Sequence, residues 1–458
     1  MLGIHGVGRD AAGYYLSDAG RELPVVVPPC WAGAGAAAMD LEGVPDHEGL
    51  RRLLSGRHPV TGGPLGSGRT RVAGYDLTFS APKSASVLLA LGGREVAREV
   101  VAAHGEAVNG ALAYLEAHAL AAVRRVGPER LVLPTGGMVA ARFAHGVNRN
   151  GDPHLHSHVV MANLVHGADG RWSACDRRGL DAHRVAASAV YAAHLRAGVT
   201  AALGLRWSGP PGRALEVAGV PPQLLGEYSS RHAEIRRYRH ERGAARGHGA
   251  RVAWVATRAP KGPATPYGLL AQEWRRRARA VVATEGPLVH PSVETAGPGL
   301  VDEHRYAAEI SATPHGGARR RDVVAAFAWA AVDGVRAVPL ERLVDAWVPP
   351  GPVGVLETQH QRRTVVPANY LLHSLGPRPL EPSAHEVWLG AARALEAYRA
   401  RWGLERAAEP LGPTSAGRLA SLSPARLADH ARTEHQVRVA RARLGRGGPG
   451  VPELARGR

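Results

Sequence analysis

Cysteine is almost absent from this chain. Cys30 and Cys175 are the only two in 458 residues. That excludes a disulfide framework and any cysteine-based zinc spacing, and it fits a reducing cytosol. Lysine is equally scarce, with only Lys83 and Lys261. No apolar run approaches the roughly 20 residues of a membrane-spanning helix. The N-terminal stretch MLGIHGVGRDAAGYY has no signal-peptide core. The expectation is a soluble, cytoplasmic protein with no membrane insertion. The commonest ATPase motif, G-x-x-x-x-G-K-[ST], is missing too. Acidic residues are in deficit: 40 Asp and Glu stand against 57 Lys and Arg, for a net charge of +17. A bias toward GC-rich codons accounts for arginine in place of lysine, but not for the excess of positive charge. A soluble chain this basic is expected to meet a polyanion, with nucleic acid as the default.

The chain is long enough for two or more domains. Up to about Ala280, strand-like and helix-like segments alternate. Ile4–Val7 reads as a short strand, and Asp10 as the N-cap of a short helix carrying Tyr14 and Tyr15. His47–Leu54 reads as a helix. Gly74–Ser80 alternates as a strand, with Tyr75, Leu77 and Phe79 on one face and Asp76, Thr78 and Ser80 on the other. Pro82 opens a helix through Leu91. Helices are expected over Ala97–Arg125, Leu180–Leu203 and Pro221–Arg242. Beyond Ala280, Gly286–Gly299 and Thr313–Gly317 read as linker. Arg321–Trp347 suggests two short helices, Glu386–Trp402 an amphipathic helix and Ala425–Leu444 a basic one. The expected division is a first domain over 1–280, a linker over 281–320, a mainly helical region over 321–444 and a disordered tail over 445–458.

The stretch from Met138, MVAARFAHGVNRNGDPHLHSHVVMANLVHG, carries the chemistry. His156, His158 and Val160 share one strand face; Leu155, Ser157 and Val159 share the other. Asn150-Gly151 and Asp152-Pro153 are turn dipeptides. Met138–His145 reads as a preceding strand, so the segment is a hairpin that sets His145 beside His156 and His158. Three imidazoles converging without cysteine make an open divalent-metal site. A chain with 23 histidines can also scatter them over a sheet without chemistry. Such an ion either polarises a phosphoryl oxygen or activates water. The positive charge favours phosphoryl chemistry, and so does the Tyr14-Tyr15 pair, because tyrosine can attack phosphorus and form a covalent intermediate. Ordinary half-buried packing is the plainer account of a tyrosine pair taken alone. Asp76 could accept the second ring N–H of a metal-bound histidine, and it could help take the tyrosine proton. Lys83, which opens a helix, and Arg149, on the hairpin loop, are candidates for contacts to DNA phosphates.

Together these residues resemble the MobF-type conjugative relaxases, the TrwC/TraI type, of the histidine-hydrophobic-histidine endonuclease superfamily. The resemblance rests on VGRDAAGYY ending at Tyr15, on GYDLTFSAPKSASVLLAL from Gly74, and on His145, Arg149 and DPHLHSH from Asp152. It continues in EYSSRHAEIRRYRHERG from Glu227 and ATRAPKG from Ala256. It implies an α+β fold with an antiparallel sheet flanked by helices. Large members of that family carry a helicase after the relaxase domain; with no phosphate loop in this sequence, the expectation is a relaxase domain without the helicase part. The implied activity is a site- and strand-specific nickase and strand transferase acting on single-stranded origin-of-transfer DNA. It would proceed through a 5′-phosphotyrosyl intermediate. Mg²⁺ or Mn²⁺ is implied as the ion; ligand softness would equally suit Zn²⁺. Implied partners are accessory relaxosome proteins, a type IV secretion coupling protein and a separate helicase. Three positions depart from the pattern. Glu22 and Leu23 stand where a second tyrosine pair often falls, and His154 stands where the family usually has glutamine. The alternatives are a relaxase-like DNA-binding protein with impaired catalysis and, more distantly, a metal-dependent hydrolase or cupin-type enzyme. The latter's expected glutamate is absent from Val159–Gly167.

Overall fold

Strands β1 (Leu2–Val7), β2 (Cys30–Ala32) and β3 (Gly74–Ser80) come first along the chain. Strands β4 (Ala122–Val126), β5 (Glu129–Leu133), β6 (Ala140–Val147) and β7 (Pro153–Ala162) follow. Five of them form one antiparallel sheet in the order β1-β3-β7-β6-β2, while β4 and β5 pair separately. These strands belong to a computed structural model. It describes residues 1–16, 23–66, 72–126, 129–210, 214–241, 265–282, 301–311, 319–336, 340–342, 344 and 423–444, with isolated positions between 375 and 411. The linker expected at Gly286–Gly299, the ATRAPKG stretch and the tail from Gly445 lie outside the described residues.

The alternation in the sequence sets the register. In the β3–β7 ladder, Asp76 faces Val160, Thr78 faces His158 and Ser80 faces His156. In the β6–β7 ladder, His145 faces His156 and Phe143 faces His158. Side chains alternate along a strand, so all of these share the front face. The back face carries Leu77, Phe79, Leu155 and Val159, all fully buried. Between β6 and β7, the Asn148 side chain accepts from the Asn150 and Asp152 backbone N–H groups at 2.9 and 3.0 Å. Gly151 adopts φ +77°, which the turn requires and a side chain rarely tolerates.

The helices are α1 (Ala12–Leu16), α2 (Ala34–Ala37), α3 (His47–Leu54), α4 (Lys83–Leu91), α5 (Gly93–His118) and α6 (Arg177–Leu203). Helix α1 follows a 3₁₀ turn at Arg9–Ala11 whose N-cap is Gly8, so Asp10 lies inside that first turn instead of capping it. Helices α5 and α6 pack on each other. Gly198 permits this: a Cβ there would stand 2.8 Å from Ala103 Cβ. Two expected helices are corrected. Helix α5 ends at His118 instead of Arg125, because residues 122–126 pair as β4 with β5. Val123, Val126 and Val132 are β-branched, and the Gly127-Pro128 dipeptide separates the two runs. The second case is the Pro221–Arg242 helix. It divides into α7 (Pro222–Glu227) and α8 (Ser230–Glu241), because Tyr228 is buried and Asp152 caps the new helix start by accepting from Ser230 N at 3.0 Å. Helix α9 (Tyr267–Val282) follows.

Packing divides the chain into one unit of residues 1–306, 324–339 and 352–361 and another of 307–323, 340–351 and 362–458. Within the first unit, fully buried Arg196 donates to the carbonyls of Ala328 and Ala331 at 2.6 and 3.0 Å. Asp333 accepts from Trp207 N at 3.0 Å. These contacts join segments far apart in sequence, which local patterns cannot report. In the second unit, the helix Pro424–Leu444 contributes Ala440 to a cluster with Trp388 and Leu395.

Candidate active site

The front face of the sheet gathers imidazoles. Ring centroids of His145 and His156 lie 5.2 Å apart, those of His156 and His158 5.2 Å, and those of His145 and His158 5.6 Å. An imidazole bound through nitrogen at about 2.1 Å places its centroid about 3.2 Å from the metal, so rings at 90–110° stand about 4.5–5.2 Å apart. The cluster is therefore open by a few tenths of an ångström relative to a closed site. Among the described residues, no group of three His, Cys, Asp or Glu is arranged as a ready-made metal site. By chemistry, three imidazoles are donors of the type a divalent ion takes.

Outer contacts fix two of the rings. His158 Nδ1 lies 2.8 Å from Asp76 Oδ2 and 3.0 Å from Asp76 Oδ1. His156 Nδ1 lies 2.8 Å from the His154 carbonyl oxygen. In both, Nε2 is the nitrogen left for a metal, which is the usual arrangement around metal-binding histidine. Burial, with the neighbouring imidazoles second, holds His156 far below the usual histidine range. Burial also lowers His154 to about 3. Both rings are therefore neutral, the form that binds metal. The His154 side chain packs against His156, with centroids 4.9 Å apart.

Asp76 is buried and connects the cluster to the tyrosine helix. The Thr78 hydroxyl donates to its Oδ1 at 3.1 Å, and the Tyr15 hydroxyl donates to its Oδ2 at 3.0 Å. The two tyrosines then part ways. Tyr15 is only 5% exposed and packs on Phe143 and His158. Tyr14 is 44% exposed, and its hydroxyl accepts from Arg149 Nη2 at 3.0 Å. Successive residues on a helix project about 100° apart, so the two phenols reach different environments.

The loop that carries Arg149 is tied down on both sides. Asn150 Nδ2 donates to Glu234 on α8 at 2.8 Å, and Trp274 Nε1 on α9 donates to the Gly151 carbonyl at 2.8 Å. Asp152 accepts from the Ser230 hydroxyl and, at 3.4 Å, from Arg277 Nη1. The Asp152-Pro153 dipeptide signals only a turn in the sequence. Lys83 departs from expectation. Its Nζ donates to the Pro153 carbonyl at 2.9 Å, and the Glu216 carboxylate receives the α4 amides of Lys83 and Ser84 at 3.4 and 2.7 Å. Burial pulls the Lys83 ammonium below the usual lysine range, partly offset by Asp152 and Glu216. A carboxylate of the chain itself thus takes the place at the helix start where a DNA phosphate was expected. His5 was overlooked. It stands opposite Asp76 on β1, and Gly3 leaves room for its ring: a Cβ at Gly3 would meet His5 Nε2 at 3.3 Å. The alternation in Leu2–Val7 was the available signal.

No helix among the described residues is long and apolar enough to cross a membrane. The TrwC relaxase family model matches residues 7–281. The multifunctional conjugation protein TraI of Escherichia coli is 38% identical over 220 residues, covering 45% of this chain and 12% of that protein. TraI of Escherichia coli strain K12 is 43% identical over 147 residues, covering 31% of this chain and 8% of that protein. The chain thus spans a small part of the length of these curated relatives. Among solved structures, the conjugative relaxase TrwC in a metal-free complex with oriT DNA has a TM-score of 0.55 at 28% identity. The match covers 61% of this chain and 98% of that one. The metal-bound TrwC complex with oriT DNA has the same TM-score at 27% identity, with the same coverage. A family match over residues 7–281, together with this shared fold, places the chain in the TrwC relaxase family.

Proposed function

We propose that the chain is a conjugative DNA relaxase that nicks single-stranded origin-of-transfer DNA at one site on one strand. The observation that carries this reading is the convergence on one sheet face of three imidazoles, Asp76 and the tyrosine helix. TrwC structures are described as bound to oriT DNA and to metal, and this chain gathers three imidazoles on one sheet face. His145, His156 and His158 would hold a divalent ion, Mg²⁺ or Mn²⁺. When bound, that ion would neutralise charge on the non-bridging oxygens of the scissile phosphate. Tyr14 is the nucleophile in this reading. Its exposure gives a polymeric substrate access, whereas the Tyr15 hydroxyl is committed to Asp76 inside the core. Arg149 donates to the Tyr14 oxygen and so holds it in place. The new Tyr14 oxygen–phosphorus bond forms as the phosphorus–O3′ bond breaks. The tyrosine loses its proton and the departing 3′ oxygen gains one. The 5′ end stays linked to the protein, and this stores the energy for rejoining. Asp76 orients His158 through Nδ1, and Tyr15 and Thr78 hold Asp76 in place.

The direct test is incubation of the full chain with single-stranded candidate origin DNA and Mn²⁺, followed by a denaturing gel. A covalent protein–DNA band is expected. Binding without any adduct would leave a relaxase-like DNA-binding protein.

Asp76→Asn keeps the shape and removes the charge that holds His158. Loss of such an orienting group costs about 10–100-fold in metal affinity or activity. Single-turnover cleavage is expected to slow by that amount, and an unchanged rate would reduce Asp76 to a packing role.

DNA affinity is expected to fall steeply with salt and to favour single strands. Each phosphate contact adds roughly 0.7 to the slope of log affinity against log salt for single strands. Titration of single-stranded and duplex oligonucleotides of equal length measures it. Arg149→Ala should lower the slope by about one contact. A flat response would assign the basic surface to another role.

A further inference from the structure

Ser157 lies between His156 and His158 on β7 and points to the opposite face. That back face is apolar around it, with Phe79 and Val159 fully buried nearby. Yet a polar chain starts at Ser157. Its hydroxyl lies 2.8 Å from His104 Nε2 on α5, and His104 Nδ1 lies 2.7 Å from the Tyr191 hydroxyl on α6. All three residues are buried, Tyr191 completely. Burial lowers His104 to about 3 and pushes the Tyr191 phenol far above its usual range, so both are neutral. A neutral imidazole donates through one nitrogen and accepts through the other. With a hydroxyl at each end, either tautomer satisfies both links.

Apolar side chains of similar volume could fill this space. Hydrogen bonds add direction, which apolar packing lacks. Here they fix the height and roll of β7 on α5 and α6 at the one position flanked by two histidines of the cluster. A roll of the strand at Ser157 swings His156 and His158 together, because both project from the opposite face. Metal and catalytic groups tolerate only about 0.5 Å or 10–20° of error. The same anchor reaches β3. Phe79 pairs with Ser157 across the ladder and packs on Tyr191 with centroids 5.4 Å apart. Three residues earlier on β3 stands Asp76, which holds His158.

We propose that Ser157, His104 and Tyr191 form a positioning relay behind the sheet that sets His156 and His158 at metal-binding distance. The proposal rests on the reading of those histidines as metal ligands. None of the three touches DNA or metal. Their effect passes through the strand.

The test measures Mn²⁺ affinity of the full-length protein without DNA, alongside the unfolding midpoint of the metal-free protein. Ser157→Ala is expected to weaken Mn²⁺ binding about 10-fold, at the low end for outer groups around a metal. Tyr191→Phe, which removes one hydroxyl from the far end, should weaken it less. Ser157→Thr keeps the hydroxyl and suits a strand, so it should restore wild-type affinity. His156→Ala serves as the reference and should lose Mn²⁺ binding. Wild-type binding by His156→Ala would overturn the ligand reading itself. Loss in His156→Ala with unchanged affinity in Ser157→Ala and Tyr191→Phe would overturn the relay alone, even if the unfolding midpoint drops. If Ser157→Ala does not fold, Tyr191→Phe and Ser157→Thr decide by the same affinities.

Discussion

His156→Ala and His158→Ala are each expected to abolish cleavage of single-stranded origin DNA while DNA binding persists. The two properties draw on different groups. Arginine contacts to phosphates supply most of the affinity for nucleic acid, and the chain carries a net charge of +17. The imidazoles supply the ion that neutralises charge in the transition state, worth several kcal/mol, or on the order of 10³-fold in rate and more. Removing one ring leaves the other two with a site too open to hold the ion in place. The remaining Nδ1 anchors, Asp76 and the His154 carbonyl, would then orient single rings with no shared task. Cleavage under single-turnover conditions and a binding titration on the same preparations separate the two effects. Full cleavage by either mutant would remove the metal assignment. Loss of binding in parallel with cleavage would mean that the histidines hold the fold or the DNA instead.

The front face of the site was legible because strand alternation is a short-range property. His156 and His158 share a face with Val160, as do Asp76, Thr78 and Ser80, and the ladders put these sets side by side. The turn chemistry of Asn150-Gly151 and Asp152-Pro153 located the hairpin. What sequence could not show depends on distant partners. Glu216 comes 133 residues after Lys83 to occupy the α4 start, so the helix N-terminus read as an open phosphate site is already filled. Asp152 looked like a turn residue, yet Ser230 and Arg277 make it the point where two helices meet the hairpin. His104 sits in an alanine-rich helix with nothing local to mark it. The same reasoning explains the misplaced end of α5. Ala119–Arg125 has good local helix formers, but pairing with β5 outweighs a preference of tenths of a kcal/mol per residue. Likewise, Arg196 anchors a segment 132 residues later in the chain.

Tyr14→Phe is expected to eliminate the covalent DNA adduct, whereas Tyr15→Phe should still form it, more slowly. The difference follows from where helix α1 points its two phenols. Tyr14 is exposed, with its hydroxyl on Arg149. A phosphate carried by a polymer can approach it, and the guanidinium hydrogen-bonded to its oxygen can also contact the phosphate. Tyr15 is wedged against Phe143 and His158, with its hydroxyl on Asp76. To attack phosphorus it would have to leave that bond and its packing. Its loss removes one hydrogen bond to a buried carboxylate, a cost of about 1.5–3 kcal/mol when the acceptor is charged. Asp76 keeps Thr78 and His158 as partners, so a slower reaction is expected in place of none. Phenylalanine at 14 keeps the ring and removes the only atom that can bond to phosphorus, so no adduct can form there at any time. An oligonucleotide labelled on the 3′ side of the nick carries its label into the protein band, and one labelled on the 5′ side releases a shorter fragment with a 3′-OH. Adduct from Tyr14→Phe together with none from Tyr15→Phe would transfer the nucleophile to Tyr15. The Asp76 contact would then be the route by which its proton leaves. Adduct from both single mutants and from the double mutant would place the nucleophile outside α1 altogether.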